Sequence, residues 1–315
     1  MHPASSIVLF TTSAGAGYGL LFLLGITVPT GLLPSERWLG FVALALALGF
    51  ITLGLLASTL HLGHPERAWR ALSQWRSSWL SREGVAALVT FLPTGLFGFG
   101  WVFFEQAGGP WAICALLAAL GAVITVICTG MIYASLKTIR QWHDSLVVPL
   151  YLAFALATGA LWLNLVLHLF GRAEGWSQAL TLLALTLAWG LKSVYWRNID
   201  RGKSESTPES ATGLGALGQV RLLDPPHSEE NYLLREMGFR IARKHAEKLR
   251  RIALVVGFAA AFVLALVSLV TSGGLAAAAA FLAAVAGSLG ALLERWLFFA
   301  EATHTVMLYY GARAA

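Results

Sequence analysis

Only 12% of the residues in this chain are charged. Yet one short stretch, HLGHPERAWRALSQWRSSWLSREG from His61 to Gly84, holds four arginines, two histidines, two glutamates and three tryptophans. His61 and Glu83 stand at the edges of the flanking apolar runs. An ionisable group in such a place is costly unless it is paired or functional. Imidazole titrates near neutrality, so His61 can donate a hydrogen bond to a carbonyl or pass a proton. Glu83 can accept or supply a second proton. The pair suits a reaction that moves two protons with two electrons, as at a quinone ring. Between them, Arg67, Ser78, Trp79 and Arg82 supply donors and an apolar plate. The plainer alternatives are an interfacial histidine bonded to a helix-end carbonyl and, for Glu83, a helix N-terminal acid facing the macrodipole or a salt bridge to Arg82 or Arg67.

A second polar cluster, MIYASLKTIRQWHD, puts Tyr133, Lys137 and Arg140 at i, i+4 and i+7, one face of a helix, with Trp142 and His143 after it. A third, ERWLFFAEATHTVMLYYG, contributes Glu294, Glu301 and His304. Both also read as belts of aromatic and basic anchors at a membrane interface. A haem held by two histidines on facing helices is the competing cofactor, but no histidine lies near the middle of an apolar run. Cys114 and Cys128 are too few for an iron–sulfur cluster or a structural zinc. Neither haem nor cluster is expected in this chain.

The elements that position these residues follow from composition. The chain has 315 residues, 57% of them hydrophobic, and a mean hydropathy of +0.69, whereas a soluble domain carries charge on about 25% of its residues. A bilayer core needs about 20 apolar residues per helix. Eight runs qualify, near 8–30, 38–60, 84–104, 111–133, 147–170, 177–196, 252–272 and 275–298. They are long and lack the alternation of barrel strands. The expected fold is all-α, a polytopic membrane bundle of about eight transmembrane helices forming one domain over 1–315. The segment 197–251 is an inserted loop, with a flexible Ser/Gly/Pro-rich start and a basic amphipathic helix from about Ser228 into the seventh span.

Arg37 and Arg172 are the only basic residues assigned to one side. The other 20 of the 22 Lys and Arg, among them Arg67, Arg70, Arg76, Arg82, Lys137 and Arg140, are assigned to the opposite side. The positive-inside rule then puts both termini and the arginine-rich loop in the cytoplasm. The start, MHPASSIVLF, has no basic n-region, so no cleaved signal is expected. Arg235, Arg240 and Arg243 give the amphipathic segment a basic, aromatic-bearing face suited to docking an acidic partner.

STLHLGHPERAWRAL followed by SSWLSREG closely resembles the signature of the membrane-anchor subunit of dimethyl-sulfoxide-reductase-type molybdoenzymes. MIYASLKTIRQWH, FRIARKHAEKLR and ERWLFFAEATH look like the same family. The resemblance implies a bacterial inner-membrane anchor that exchanges electrons with ubiquinone or menaquinone. It also implies two partners, a four-cluster ferredoxin-like iron–sulfur subunit and a molybdopterin catalytic subunit. The family's proposed quinone-site histidine and glutamate map onto His61 and Glu83, with Tyr133, Lys137 and His304 as further candidates. The well-known dimethyl sulfoxide reductases face the periplasm. The basic loop here reads as cytoplasmic, which fits the family's cytoplasm-facing sulfite:quinone oxidoreductases and electron flow from sulfite to quinone. A quinol-oxidising anchor of a terminal reductase is the alternative within the family. Outside it stand a purely structural anchor and a transporter. The transporter is opposed by the expectation that no charges line a path through the spans, Asn164 being the only strong amide deep in one.

Overall fold

The computed structural model describes residues 4–60, 62–202, 206–224, 226 and 244–314. Eight helices are long and apolar enough to cross a membrane: α1 Ser5–Thr27, α2 Arg37–Thr59, α3 Trp79–Phe104, α4 Pro110–Ala134, α5 Val147–Leu169, α6 Gly175–Arg201, α7 Ala246–Val270 and α8 Gly273–Ala300. Among the described residues the only β pairing is an isolated antiparallel bridge between Ile139 and His304. Helices suit the bilayer because each satisfies its own backbone hydrogen bonds.

α1 and α5 are buried along most of their length and form the centre, while the other six helices keep outward apolar faces. The central pair meets at glycines. A β-carbon on Gly19 would run into the backbone of Ala155, and one on Gly159 into the backbone of Gly19 and Leu20. Small residues let helix backbones approach where lipid offers no hydrophobic drive to associate. α2, α3 and α4 pack on one side of the pair; α6, α7 and α8 pack on the other, with α8 reaching both α5 and α1.

Helix ends differ from the expected spans where polar residues are involved. α3 begins at Trp79, because Ser78 caps it by accepting a hydrogen bond from the Ser81 amide at 3.4 Å. Glu83 is therefore inside a helix. α6 continues to Arg201 and carries Lys192 within it. α4 stops at Ala134, so Lys137 and Arg140 do not share a helical face with Tyr133 as their spacing implied. α7 starts at Ala246 and contains a π-helical stretch, Leu254–Ala260. There Gly257 lies against Gly290 of α8 and the Trp189 ring. The upstream part of the expected amphipathic helix, with Arg235, Arg240 and Arg243, lies outside the described residues.

At one end of the bundle Arg172 pairs with Glu36, and Arg37 lies 3.4 Å from Glu105. The arginine-rich loop, the α4–α5 loop and the C-terminal segment gather at the other, basic end.

Candidate functional site

Loop 2–3 forms a 3-10 segment, Pro65–Gln74, folded back onto the start of α3. The Ser81 hydroxyl donates to the Ala71 carbonyl. Arg82 donates to the carbonyls of Trp75 and Arg76 at 3.0 and 2.7 Å, and its guanidinium stacks 4.3 Å over the Trp79 ring. Arg82 is thus spent on fixing the loop. Arg67 is exposed and 3.7 Å from Glu66. His61 lies outside the described residues.

Glu83 turns inward. It is buried, and the Thr129 hydroxyl of α4 donates to its carboxylate. Among the described residues it forms no ion pair, so the expected alternative of a bridge to Arg82 or Arg67 is not what the structure contains. One turn from Thr129, Tyr133 sits in an aromatic box, its ring 5.2 Å from Trp142, 5.9 Å from Tyr151 and 5.1 Å from Phe299. The box is pinned by Trp142 Nε1 donating to the Phe298 carbonyl at 3.0 Å.

Behind the box lies a cluster that sequence reasoning misses. Lys192 Nζ is 2.5 Å from Glu294 Oε1, and Arg295 Nε is 2.5 Å from Glu294 Oε2. All three side chains are buried. Lys192 lies 4.2 Å from the Tyr195 ring centroid and Arg295 lies 4.1 Å from that of Tyr151, so each cation also meets an aromatic face. Composition assigns Lys192 to the loop charges, and makes Glu294 and Arg295 the fraying end of the last span. The expectation of charge-free spans fails here. It fails for amides too, since Gln178 of α6 is buried as well as Asn164. The available signal was three charges inside apolar runs near the same end of their helices.

Nearer the surface, Arg250 makes a bidentate contact with Glu301 at 2.7 and 2.9 Å and reaches Asp200 at 2.7 Å. The Trp196 ring separates this outer group from the inner one, 5.3 Å from both Arg250 and Lys192. His304 is bound to the C-terminal segment, its Nδ1 accepting from the Val306 amide at 2.9 Å. Burial lowers its pKa, which keeps the ring neutral and able to accept. Lys137 is exposed. No described contact joins His304 or Lys137 to Glu83. Of the expected site residues, the structure brings together Ser78, Trp79, Arg82 and Glu83 on the first turns of α3, and Tyr133 beyond Thr129.

Eight apolar helices long enough to cross a membrane, with buried ionisable groups near one end of the bundle, define a polytopic membrane protein. A family model for the DMSO reductase anchor subunit (DmsC) matches residues 1–299. This chain belongs to that family. The C subunit of the sulfite dehydrogenase of Allochromatium vinosum is 32% identical over 337 aligned positions, covering all of both proteins. The C component of the anaerobic dimethyl sulfoxide reductase of Escherichia coli is 28% identical over 196 positions, 60% of the present protein and 67% of that one.

Proposed function

We propose that this protein is the quinone-reactive anchor of a molybdopterin/iron–sulfur complex that oxidises sulfite on the cytoplasmic side and delivers the electrons to the quinone pool. The observation that carries quinone reactivity is Glu83: a carboxyl group buried inside a membrane helix, held by one hydroxyl, directly beneath a loop of basic and aromatic residues. Such a group is expensive in a membrane and is retained where protons move. The full-length similarity to the C subunit of a sulfite dehydrogenase supports sulfite as the partner's substrate. The basic residues of loop 2–3 and of 228–251 support a cytoplasmic partner docked at that end.

The test compares two activities in the same membranes. Sulfite oxidation coupled to an artificial dye reports the soluble subunits, and oxidation coupled to quinone reports the anchor. Glu83→Gln and His61→Ala should keep the dye-linked rate and lower the quinone-linked rate by at least tenfold, because proton transfer by a positioned acid or base contributes about 10²–10⁴-fold. Unchanged quinone-linked turnover in both variants would remove this reading.

A further inference from the structure

Two cavities meet inside the bundle. The inner one, about 20 Å³, is bordered by Thr129, Tyr18, Tyr151 and Arg295. The outer one, about 250 Å³, is an apolar cleft between α1, α4 and α5. Tyr18, Val126 and Ala155 line both, so they form the neck between them. The half-buried side chains of Phe22, Val123, Leu152 and Leu156 form the outer rim, on the membrane-facing side.

The neck and inner wall hold unmet donors. The hydroxyls of Tyr18 and Tyr151 and both terminal nitrogens of Arg295 are buried without a hydrogen bond of good geometry, with Thr125 beside Tyr18, and Tyr151 and Arg295 beside each other. Tyr18 and Arg295 are each 3% exposed. Leaving such groups unmatched is costly. Lys192 and Arg295 share the single carboxylate of Glu294, and the Arg295 guanidinium borders the inner cavity. Across that cavity Thr129 holds Glu83.

We propose that the outer cleft receives a quinone ring from the membrane, with one ring oxygen at the neck against the Tyr18 hydroxyl and with Tyr151 and Arg295 behind it. This rests on the quinone-reactive reading above and moves the ring from loop 2–3 into the bundle. The cleft approaches the lower end of small-molecule sites, roughly 300 Å³, which suits one flat ring system. The inner cavity is too small for a ring. A ring oxygen offers lone pairs to the buried donors, and the Arg295 guanidinium favours an electron-rich atom there. A lipid acyl tail fits the apolar walls but offers no acceptor, and would leave every one of those donors unmatched.

The experiment uses the whole membrane-bound complex and a short-chain azido-benzoquinone as photolabel. The label should fall on peptides containing Phe22, Val123 or Leu152. Tyr18→Phe should raise the quinone KM roughly three- to tenfold, as loss of one hydrogen bond does, with the dye-linked rate unchanged. A merely structural role would not do this, since loss of packing would lower the stability of the complex and its dye-linked and quinone-linked rates together rather than raise the quinone KM alone. Val123→Trp at the rim should raise the KM further by narrowing the entrance. Label confined to residues 62–82, with both variants like wild type, would overturn the cleft and leave the role of Glu83 standing. A cleft that takes only lipid, shown by label displaced by excess phospholipid but not by unlabelled quinone, would also overturn it. Absence of quinone-linked turnover in the unmodified complex would overturn both readings.

Discussion

Glu294 is the hinge of the buried charges, because it alone separates Lys192 from Arg295. Breaking a buried pair by removing one partner costs about 3–5 kcal/mol, since the remaining charge stays desolvated. Glu294→Gln strands two cations, whereas Lys192→Met leaves Glu294 still bonded to Arg295. The expected order of thermal stability in detergent is therefore wild type, then Lys192→Met, then Glu294→Gln well below. Equal losses would mean that Lys192 contributes as much as both cations together, contrary to the geometry. That order was not legible in the sequence. Lys192 stands near the end of the run 177–196, where its charge is counted with those of the loop that follows. What buries it is a carboxylate on a distant helix, and local pattern carries no trace of that pairing. The position of Glu83 at the edge of an apolar run, in the same motif as His61, was legible, but its inward direction was not: that depends on where Ser78 starts α3.

Among the elements, apolar length alone sufficed to locate all eight helices, since no soluble fold needs so many runs of that length. The packing of α1 on α5 was less accessible. Glycines 19 and 159 give no sign in sequence of this close approach, yet a β-carbon on Gly19 would strike the Ala155 backbone and one on Gly159 the backbone of Gly19 and Leu20. Gly159→Ala should cost roughly 1–3 kcal/mol by overpacking, read as a lower melting temperature. Gly49→Ala, where a β-carbon meets nothing, should leave the melting temperature unchanged or slightly higher. Similar losses at both positions would deny the close contact. The π-helical stretch of α7 is a further irregularity without a sequence signature. It widens the helix where Gly257 meets Gly290 and Trp189.

For the molecule as a whole, the two ends are electrostatically unlike. One has two arginines, each beside a carboxylate; the other gathers the arginine-rich loop with Lys137, Arg140 and Arg250. Reporter fusions in loop 2–3 and in the loop between α5 and α6 should label as cytoplasmic and periplasmic respectively, and the reverse pattern would move the soluble partners to the other side. Replacing Arg235, Arg240 and Arg243 together by glutamate should release the dye-linked activity of the proposed complex from membranes into the soluble fraction. Full retention of membrane-bound activity would place the docking surface elsewhere.

The pairing of Lys192 with Glu294 also bears on how the protein is made. The two residues are separated by about 100 positions, which at about 5–20 residues per second takes roughly 5–20 s to translate. Through that interval α6 must enter the bilayer carrying an ammonium group whose counter-ion does not yet exist, its long stem reaching towards the headgroups. The last helix then supplies the carboxylate that pairs with it, so a nascent polypeptide that fails to add α8 keeps a feature that a membrane protease can read as incomplete. In pulse-chase labelling, a polypeptide ending at Ser272 should be cleared faster than the full-length protein, and Lys192→Leu should lengthen the truncated form's half-life. If that substitution changed nothing, the surveillance would respond to something other than the stranded cation.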